Sequence, residues 1–470
     1  MKKHNNISAS FLRFSAVAAS LLCLATATSA SDNTPKQDAP KNIIMVIADG
    51  MGPAYVSAYR YYNDDPNTEA VETTVFDDML IGTARTYPHG DSGYVTDSAA
   101  SATALAAGVK TYNGAIGMDV NKQPQETVLH RARKQGMKTG LAVTSTIVHA
   151  TPASYMVANE QRRNYAQIAD SFFDDRIDGK FLADVMLGAG TDHFIREDRD
   201  VVSEFVANGY QYITAYDELA SVATDKPLLG LFAPQSLPWS LDDSDPLRLN
   251  TLTKAALEQL DNKDGFFLLV EASQVDWAGH GNEIASAMAE MTDLVATMNT
   301  IKAFTATNPD TLVILTADHS TGGLTVAGED GYRWDPKWLK GVKASVPEIA
   351  KGVLSRSLME SSSNSSKQNN EPAAFVAEMF GFELTETEVA SVQSISSDMK
   401  PRDAENVLKR ILDERTNTGW TTIGHTAVDV NVFGYGPGIE RFSGNIDNVD
   451  IAHGIFELLD VRQSPANSTQ

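Results

Sequence analysis

Apolar runs that each end in a polar side chain recur along the chain. They cover residues 42–48, 138–144, 266–270 and 311–316. Continuous apolar runs of this length are typical of parallel strands buried on both faces. Between them lie helical patterns, of which the clearest, at residues 284–301, has apolar side chains at three- and four-residue spacing. The alternation predicts an α/β fold, a three-layer α/β/α sandwich around a mainly parallel central sheet.

The alternation breaks near the C-terminal third, between residues 324 and 424. This segment has helical patterns at 373–380 and 404–414, and a run of low complexity at 361–370. We interpret 324–424 as a long insertion that projects from the sheet, with a mobile loop at the serine-rich run. Residues 425–462, with a strand at 428–435 and a helix at 449–459, complete the main domain that begins with 42–323, and 463–470 form a tail.

A helix of small residues is predicted directly after Asp97. The nine residues that follow Ser98 include six alanines, and Gly108 is placed to end the helix. Alanine allows close backbone approach, and the positive end of the helix favours an anion beside Ser98. Ser98 is therefore either a nucleophile or simply a residue that caps a buried helix.

The N-terminus predicts export. Residues 1–30 begin Met-Lys-Lys, continue through a short apolar segment and end in small residues, as secretory signal peptides do, and 31–41 form a polar linker. We therefore expect a periplasmic or secreted protein with no membrane span. The one cysteine, Cys23, lies in the signal peptide, so the mature chain has no disulfide. A net charge of −23, which becomes more negative after cleavage, argues against nucleic acid as a partner.

Carboxylates, histidines and a threonine follow the predicted strands. They are Asp49, Thr151, Glu271, Asp276, His280, Asp318, His319 and His425. Mixed imidazole and carboxylate sets suit zinc, whereas the carboxylates and hydroxyl of Asp49, Thr151 and Glu271 suit magnesium. A single aspartate at a strand end is more often a helix cap, and a lone histidine is more often hydrogen-bonded. Glu271 is harder to explain in that way, because an unpaired buried carboxylate costs several kcal/mol.

Taken in order, these segments resemble the alkaline phosphatase family. The matching segments are 47–52, 96–99, 149–153, 184–190, 271–280, 316–319 and 424–426. No single motif is decisive, but the whole series in order is highly specific, and it spans nearly all of the mature chain except the insertion. The resemblance implies a hydrolase that converts small phosphate monoesters to an alcohol and inorganic phosphate.

The resemblance also implies a role for each site residue. Ser98 would be the nucleophile that becomes phosphoserine, and Arg162 would bind phosphate, with Arg163 as an adjacent rival. Two zinc ions and one magnesium ion are implied, and the zinc-bound oxygen nucleophiles imply an alkaline optimum. The implied ligands are Asp276, His280 and His425 for one zinc, Asp49, Asp318 and His319 for the other, and Asp49, Thr151 and Glu271 for magnesium.

Two positions depart from the best-known enteric bacterial pattern. His149 stands where those enzymes have aspartate, and Trp277 where they have lysine. Both would lie near the metal and phosphate sites and alter metal affinity and product release, although Trp277 is as readily explained by packing. With the missing disulfides and the insertion, this pair resembles the marine, cold-adapted branch. That branch implies a homodimer in which the insertion forms a crown loop over the partner subunit.

Two other functions compete. A phosphodiesterase or sulfatase-like member of the same superfamily would keep the metal scaffold, but such enzymes commonly use threonine or a modified cysteine or serine as nucleophile. The Thr-Asp-Ser-Ala sequence at 96–99 and the third-metal set favour the monoesterase. A non-catalytic metal-binding surface protein predicts a broken ligand set, and none of the aligned positions is broken.

Overall fold

The apolar runs form the centre of one large sheet. The computed structural model describes residues 39–362 and 370–463. Its strands are β1 (Asn42–Ala48), β2 (Leu80–Arg85), β3 (Lys138–Thr146), β4 (Val185–Ala189), β5 (Gln211–Ile213), β6 (Leu228–Leu231), β7 (Phe266–Ala272), β8 (Thr311–Thr316), β9 (Ser320–Thr321), β10 (Thr325–Val326), β11 (Thr418–Gly419), β12 (His425–Thr426), β13 (Val430–Tyr435) and β14 (Gly444–Asp447). Ten strands form the large sheet in the order β14-β2-β13-β8-β1-β7-β3-β4-β6-β5. Within the described residues only β13 runs antiparallel to its neighbours in this sheet.

Helices surround the sheet. They are α1 (Pro53–Asn63), α2 (Val75–Met79), α3 (Ser98–Ala107), α4 (Val128–Lys134), α5 (Ala150–Met156), α6 (Tyr165–Asp174), α7 (Thr191–Phe194), α8 (Val201–Ala207), α9 (Arg248–Leu260), α10 (Gln274–Gly281), α11 (Ile284–Thr307), α12 (Val346–Ser362), α13 (Glu371–Phe380), α14 (Glu386–Gln393), α15 (Pro401–Thr416) and α16 (Asn448–Gln463). Short 3-10 helices cover Gly90–Ser92, Tyr216–Ser221, Pro336–Leu339 and Ile439–Phe442.

Two groups of helices cover the sheet from opposite faces. One group consists of α3, α4, α5 and α16, and in the other α1, α9 and α10 pack against α11. Strand β7 contacts α4 and α5 from the first group and α9 from the second. Because every residue of β7 is buried, both of its faces are covered by helices. The three-layer α/β/α architecture predicted from the sequence is confirmed.

The described part of 324–424 contributes no strand to the large sheet. Helices α12, α13, α14 and α15 pack on one another, and β10 pairs with β11. The helical patterns at 373–380 and 404–414 lie within α13 and α15. The domain boundaries assigned to this insertion stay a prediction.

Several sequence-based predictions concern residues outside the described ranges. They are the signal peptide at 1–30, most of the 31–41 linker, at 31–38, most of the serine-rich run, at 363–369, and most of the 463–470 tail, at 464–470. The strand predicted at 428–435 is β13, which is two residues shorter than predicted and antiparallel to its neighbours. No helix in the described ranges combines the length and apolarity that a membrane span requires.

Candidate functional site

The polar residues that end the central strands meet at one edge of the sheet. Strands β8, β1, β7 and β3 are consecutive in the sheet and parallel, so their carboxyl ends lie side by side. Asp49 follows β1, Glu271 lies near the end of β7, and Asp318 and His319 follow β8. Open α/β sheets bind their ligands at this edge.

Ser98 lies at the start of α3, beside this edge. The Asp97 side chain caps α3 by accepting a 3.0 Å hydrogen bond from the Ala100 backbone N–H, so the cap is Asp97 and not Ser98. Gly108 ends the helix in the left-handed conformation, with φ of 71°, as predicted. The Ser98 side chain is buried, and its Oγ lies 3.2 Å from Nε2 of His319. The Ser98 hydroxyl therefore does not cap the helix, and it faces His319.

Asp49, Asp318 and His319 form the first group that could hold a metal ion. His319 Nε2 lies 3.1 Å from Asp318 Oδ2 and 3.5 Å from Asp49 Oδ1. The other oxygen of Asp318 accepts hydrogen bonds from the backbone N–H groups of Gly50, at 3.1 Å, and His319, at 3.0 Å. These bonds fix the carboxylate and direct Oδ2 toward the imidazole.

The second group that could hold a metal ion consists of Asp276, His319 and His425, and His280 lies beside it. This group joins α10 to the short strand β12. Asp276 and His280 lie on α10, and His425 is carried by β12, which pairs with β9 directly after His319. His425 Nε2 lies 3.6 Å from Asp276 Oδ1 and 3.1 Å from His280 Nε2. Residues 276–280 are helical, and the four-residue spacing sets the side chains of Asp276 and His280 on one face.

Carbonyl oxygens orient His280 and His425. Nδ1 of His280 lies 2.5 Å from the Ile423 carbonyl, and Nδ1 of His425 lies 2.8 Å from the Thr96 carbonyl. Since a carbonyl only accepts, each Nδ1 carries the proton and each Nε2 presents a lone pair. Two lone pairs 3.1 Å apart repel each other, so a cation fits between them.

Thr321, which no sequence motif singled out, connects Asp276 with His319. Its Oγ1 donates a 2.5 Å hydrogen bond to Asp276 Oδ1 and lies 3.2 Å from Nδ1 of His319. Thr321 is fully buried and pairs with His425 across β9 and β12. Its position two residues after His319, just beyond the end of β8, was the signal in the sequence.

A third group consists of Asp49, His149 and Glu271. Thr151 lies on α5, two residues after His149, and is fully buried. The Ser145 hydroxyl, which no sequence motif singled out either, donates a 3.3 Å hydrogen bond to Glu271 Oε2. Resemblance implied His149 only as a neighbour of the magnesium site. The structure gives it a ring nitrogen within reach of the same ion as the two carboxylates.

Arg162 reaches the site, whereas Arg163 is exposed. One guanidinium nitrogen of Arg162 donates a 3.0 Å hydrogen bond to Asp97 Oδ2, and another lies 3.2 Å from His149 Nε2. Burial alone would lower the Arg162 pKa, but the carboxylate of Asp97 outweighs burial and raises it. Trp277 is half-buried, with its ring edge-on to His149 at a centroid distance of 5.9 Å. Arg162 is therefore held, fully charged, next to Ser98.

Burial and mutual repulsion shift the titration of the carboxylates. The pKa of Asp49 is raised by burial and by Asp318, Asp276 and Glu271 around it. Burial raises the pKa of Glu271 to about 7. Burial would also raise the pKa of Asp318, but the charge of His319 beside it keeps that pKa well below its usual range. Cations in the site would relieve this repulsion.

The residues present fit metal ions. Among the buried oxygens without a hydrogen-bond partner in the described residues, five belong to this site: both carboxylate oxygens of Asp49, Oδ2 of Asp318, Oε1 of Glu271 and Oγ1 of Thr151. Leaving buried carboxylate oxygens unpaired is costly, and oxygen and imidazole donors are ligands that magnesium and zinc prefer. Three overlapping groups of such donors beside a buried serine define a metal-dependent hydrolase.

The chain belongs to the alkaline phosphatase family, whose model matches residues 40–461. It is accordingly a phosphomonoester hydrolase, which confirms the family predicted from the sequence. It is 41% identical to alkaline phosphatase 3 of Bacillus subtilis over 90% of both chains. The cold-active alkaline phosphatase of a psychrophilic Shewanella has 44% identity and a TM-score of 0.79, over 89% of this chain and 99% of that one. The enzyme of the Antarctic bacterium TAB5 has 26% identity and a TM-score of 0.64, over 90% and 99%.

Proposed function

We propose that this protein is an exported alkaline phosphatase that hydrolyses phosphate monoesters through a phosphoserine at Ser98, with two zinc ions and one magnesium ion. The observation that supports this most directly is the 3.2 Å contact between Ser98 Oγ and His319 Nε2. It brings a hydroxyl that has no capping role against a buried group of metal-ligating side chains. A serine hydroxyl in that setting can act as a nucleophile once a bound metal ion lowers its pKa.

Three donor sets would hold the metal ions. They are Asp276, His280 and His425 for one zinc, Asp49, Asp318 and His319 for the other, and Asp49, Thr151 and Glu271 for magnesium. When bound, the ions supply Lewis-acid stabilisation of charge on the attacking and leaving oxygens. The imidazole of His149 argues against magnesium at Asp49, Thr151 and Glu271, because a nitrogen donor suits zinc better than magnesium.

The chain's own residues carry out two displacements. In the first, Ser98 Oγ attacks phosphorus, the bond from phosphorus to the alcohol oxygen breaks, and the serine proton ends on the released alcohol. In the second, a water oxygen attacks the phosphoserine, the bond from phosphorus to Oγ breaks, and one water proton returns to Ser98. The products are an alcohol and inorganic phosphate, and the serine is regenerated.

Arg162 and the start of α3 would bind the phosphoryl oxygens. The guanidinium is planar and can donate to two oxygens at once. Asp97 holds it in place and also caps α3, so one carboxylate orients both the helix and the arginine. The backbone N–H groups at the helix start favour the same anion. Arg162, and not Arg163, is therefore the phosphate-binding arginine of this proposal.

Export and dimerisation complete the proposal. The signal-peptide pattern at residues 1–30 supports a periplasmic or secreted enzyme. Residues 324–424 would form the crown of a homodimer. Helices α12 to α15 support this role, because they pack on one another outside the ten-stranded sheet.

The test is a comparison of ester classes. Turnover of p-nitrophenyl phosphate and of its bis-ester would be measured at alkaline pH before and after chelation, with Ser98→Ala in parallel. We expect fast monoester hydrolysis that chelation abolishes, that zinc and magnesium restore, and that Ser98→Ala lacks. Preference for the bis-ester would move the protein to the diesterases of the superfamily. No metal-dependent turnover of either ester would overturn the proposal.

A further inference from the structure

A cationic cavity opens beside His280. It has a volume of about 770 Å³ and lies between the C-terminal end of α10 and the start of α15. We call it the cationic cavity, and define it by His280, Lys400, Arg402, Glu405, Lys409 and Ile423. Its volume is within the range of small-molecule sites. The cavity is large enough for a sugar-sized group that carries a phosphate.

Positive charge dominates the walls of this cavity. Lys400, Arg402 and Lys409 line it, and of the described lining residues Glu405 alone carries a carboxylate. Lys409 Nζ donates a 2.7 Å hydrogen bond to the Gly281 carbonyl, which fixes its ammonium group at the wall. The side chains of Lys400 and Arg402 make no ion pair or hydrogen bond within the described part of the chain. In a chain of net charge −23, such a cluster is a local exception that attracts anions.

The cavity borders the site at His280, and Ser98 is not among the residues that line it. A continuous series of contacts runs from Ser98 to His319, whose ring stacks on His425 at 3.5 Å, and from His425 to His280. The two ends of the series differ in exposure, since Ser98 is buried and the side chain of His280 is 42% exposed. In an in-line displacement the leaving group departs opposite the nucleophile. Because His280 lines the cavity, a leaving group that departs on the His280 side of the site would reach it.

We propose that the cationic cavity binds a second phosphate on the leaving group, so that the enzyme prefers sugar bisphosphates to sugar monophosphates. This inference rests on the proposed phosphomonoesterase function and adds the substrate class. Lys400 and Arg402 are the specificity-determining residues. Lys409 contributes charge from a fixed position, and Glu405 opposes the anion.

Fructose 1,6-bisphosphate and fructose 6-phosphate provide a matched pair of substrates. The experiment measures kcat/KM for both with wild type and with Lys400→Gln/Arg402→Gln. We expect the double variant to lose about tenfold in kcat/KM for the bisphosphate, since each exposed charge contact contributes a few-fold, and to retain kcat/KM for the monophosphate. The loss shrinks in high salt, which screens the exposed charges.

Two further variants separate recognition from structure. Glu405→Gln removes the opposing carboxylate and is expected to raise the preference for the bisphosphate, an effect that general destabilisation does not produce. Lys254→Gln/Lys263→Gln removes the same charge from α9 and the turn before β7, at the opposite edge of the sheet, and is expected to change neither substrate. Equilibrium dialysis of both sugars with Ser98→Ala protein, with and without the Lys400 and Arg402 changes, measures binding without turnover.

The kinetic results distinguish failure of this inference from failure of the proposed function. An equal loss for both sugars in Lys400→Gln/Arg402→Gln would overturn the inference, because the two residues would then serve the whole site. No loss for either sugar, or an equal loss in the Lys254 and Lys263 control, would also overturn it. If wild type hydrolyses fructose 6-phosphate and shows no preference for the bisphosphate, the inference fails and the proposed function stands. If wild type hydrolyses neither sugar nor p-nitrophenyl phosphate, the proposed function itself fails.

Discussion

Ser98 Oγ lies 3.2 Å from Nε2 of His319, and this contact joins a helix of small residues to the end of a central strand. A second bond strengthens the junction, since the Ser101 hydroxyl donates to the Asp318 carbonyl at 2.6 Å. All ten residues of α3 are buried, and the helix packs on α5 and α16. The position of the serine is thus set by close packing in the core, which explains why the helix is built of alanine.

Arg162→Ala is expected to raise KM for p-nitrophenyl phosphate and the inhibition constant of inorganic phosphate by about tenfold to a hundredfold. A hydrogen bond to a charged group contributes about 1.5–3 kcal/mol, and every 1.4 kcal/mol is about tenfold in affinity. Arg163→Ala is the matched control and is expected to change both constants less than twofold, since Arg163 is exposed. Steady-state kinetics with phosphate as inhibitor measures both. Equal effects of the two changes would contradict the assignment.

Chelation is expected to lower the melting temperature by several degrees. Without cations, the buried oxygens of Asp49, Asp318 and Glu271 are left unpaired and their charges repel one another. Zinc and magnesium bind the folded protein and restore the stability, which rises with the logarithm of their concentration above the dissociation constant. Differential scanning calorimetry at several metal concentrations measures this. An unchanged melting temperature after verified metal removal would show that the groups hold no metal.

His149→Asp is expected to lower by about tenfold the magnesium concentration that gives half-maximal activity at fixed zinc. The change replaces a nitrogen donor by oxygen donors beside Asp49 and Glu271, and magnesium prefers oxygen. His149→Asn supplies an oxygen without the charge. Its half-maximal magnesium concentration is expected to lie between those of wild type and His149→Asp. Magnesium titrations of activity measure the effect. The same half-maximal concentration in all three proteins would contradict a role for residue 149 in this group.

Glu283→Gln is expected to reduce the loss of stability that wild type shows as pH rises. Burial raises the pKa of Glu283 from its ordinary 4.5 to about 7, although the carboxylate caps α11 through the backbone N–H groups of Ala285 and Ser286. The folded state therefore binds more protons than the unfolded state between these values, and stability falls as pH rises through them, by about 3 kcal/mol at most.

Urea unfolding of wild type and Glu283→Gln, at about pH 5 and at about pH 8, measures this difference. The account predicts that wild type loses more stability than the variant between the two pH values. Parallel losses would show that Glu283 titrates in the folded protein as it does in the unfolded chain.

The sequence was sufficient to predict the bounds of those strands and helices whose residue pattern is unbroken. Strand β1 and helix α3 have the predicted bounds, because an unbroken apolar run and a run of alanine between Asp97 and Gly108 leave little choice. The carboxylates and histidines could be expected at one edge, because parallel strands deliver their ends together. The resemblance to the family then implied which residue is the nucleophile, which arginine binds phosphate and which side chains bind each metal ion.

Other features depend on contacts between distant segments. Thr321 and Ser145 bond to site residues only because the fold brings them there. The helical form of 276–280, which includes Gly279, is stabilised by the packing of α10 on α11. The antiparallel direction of β13 is set by its place between β2 and β8, which an apolar pattern does not encode.

The most direct test of the central claim is to trap the phosphoserine. The metal-loaded enzyme would be mixed with a phosphomonoester, quenched in acid, digested and mapped by mass spectrometry, with Ser98→Ala as the control. Asp97 and not Ser98 caps α3, so the control protein is expected to fold normally, as its melting temperature would verify. The account predicts phosphate on the peptide that contains Ser98, and neither label nor comparable turnover in Ser98→Ala. Phosphate on a different residue, or full turnover by Ser98→Ala, would contradict it.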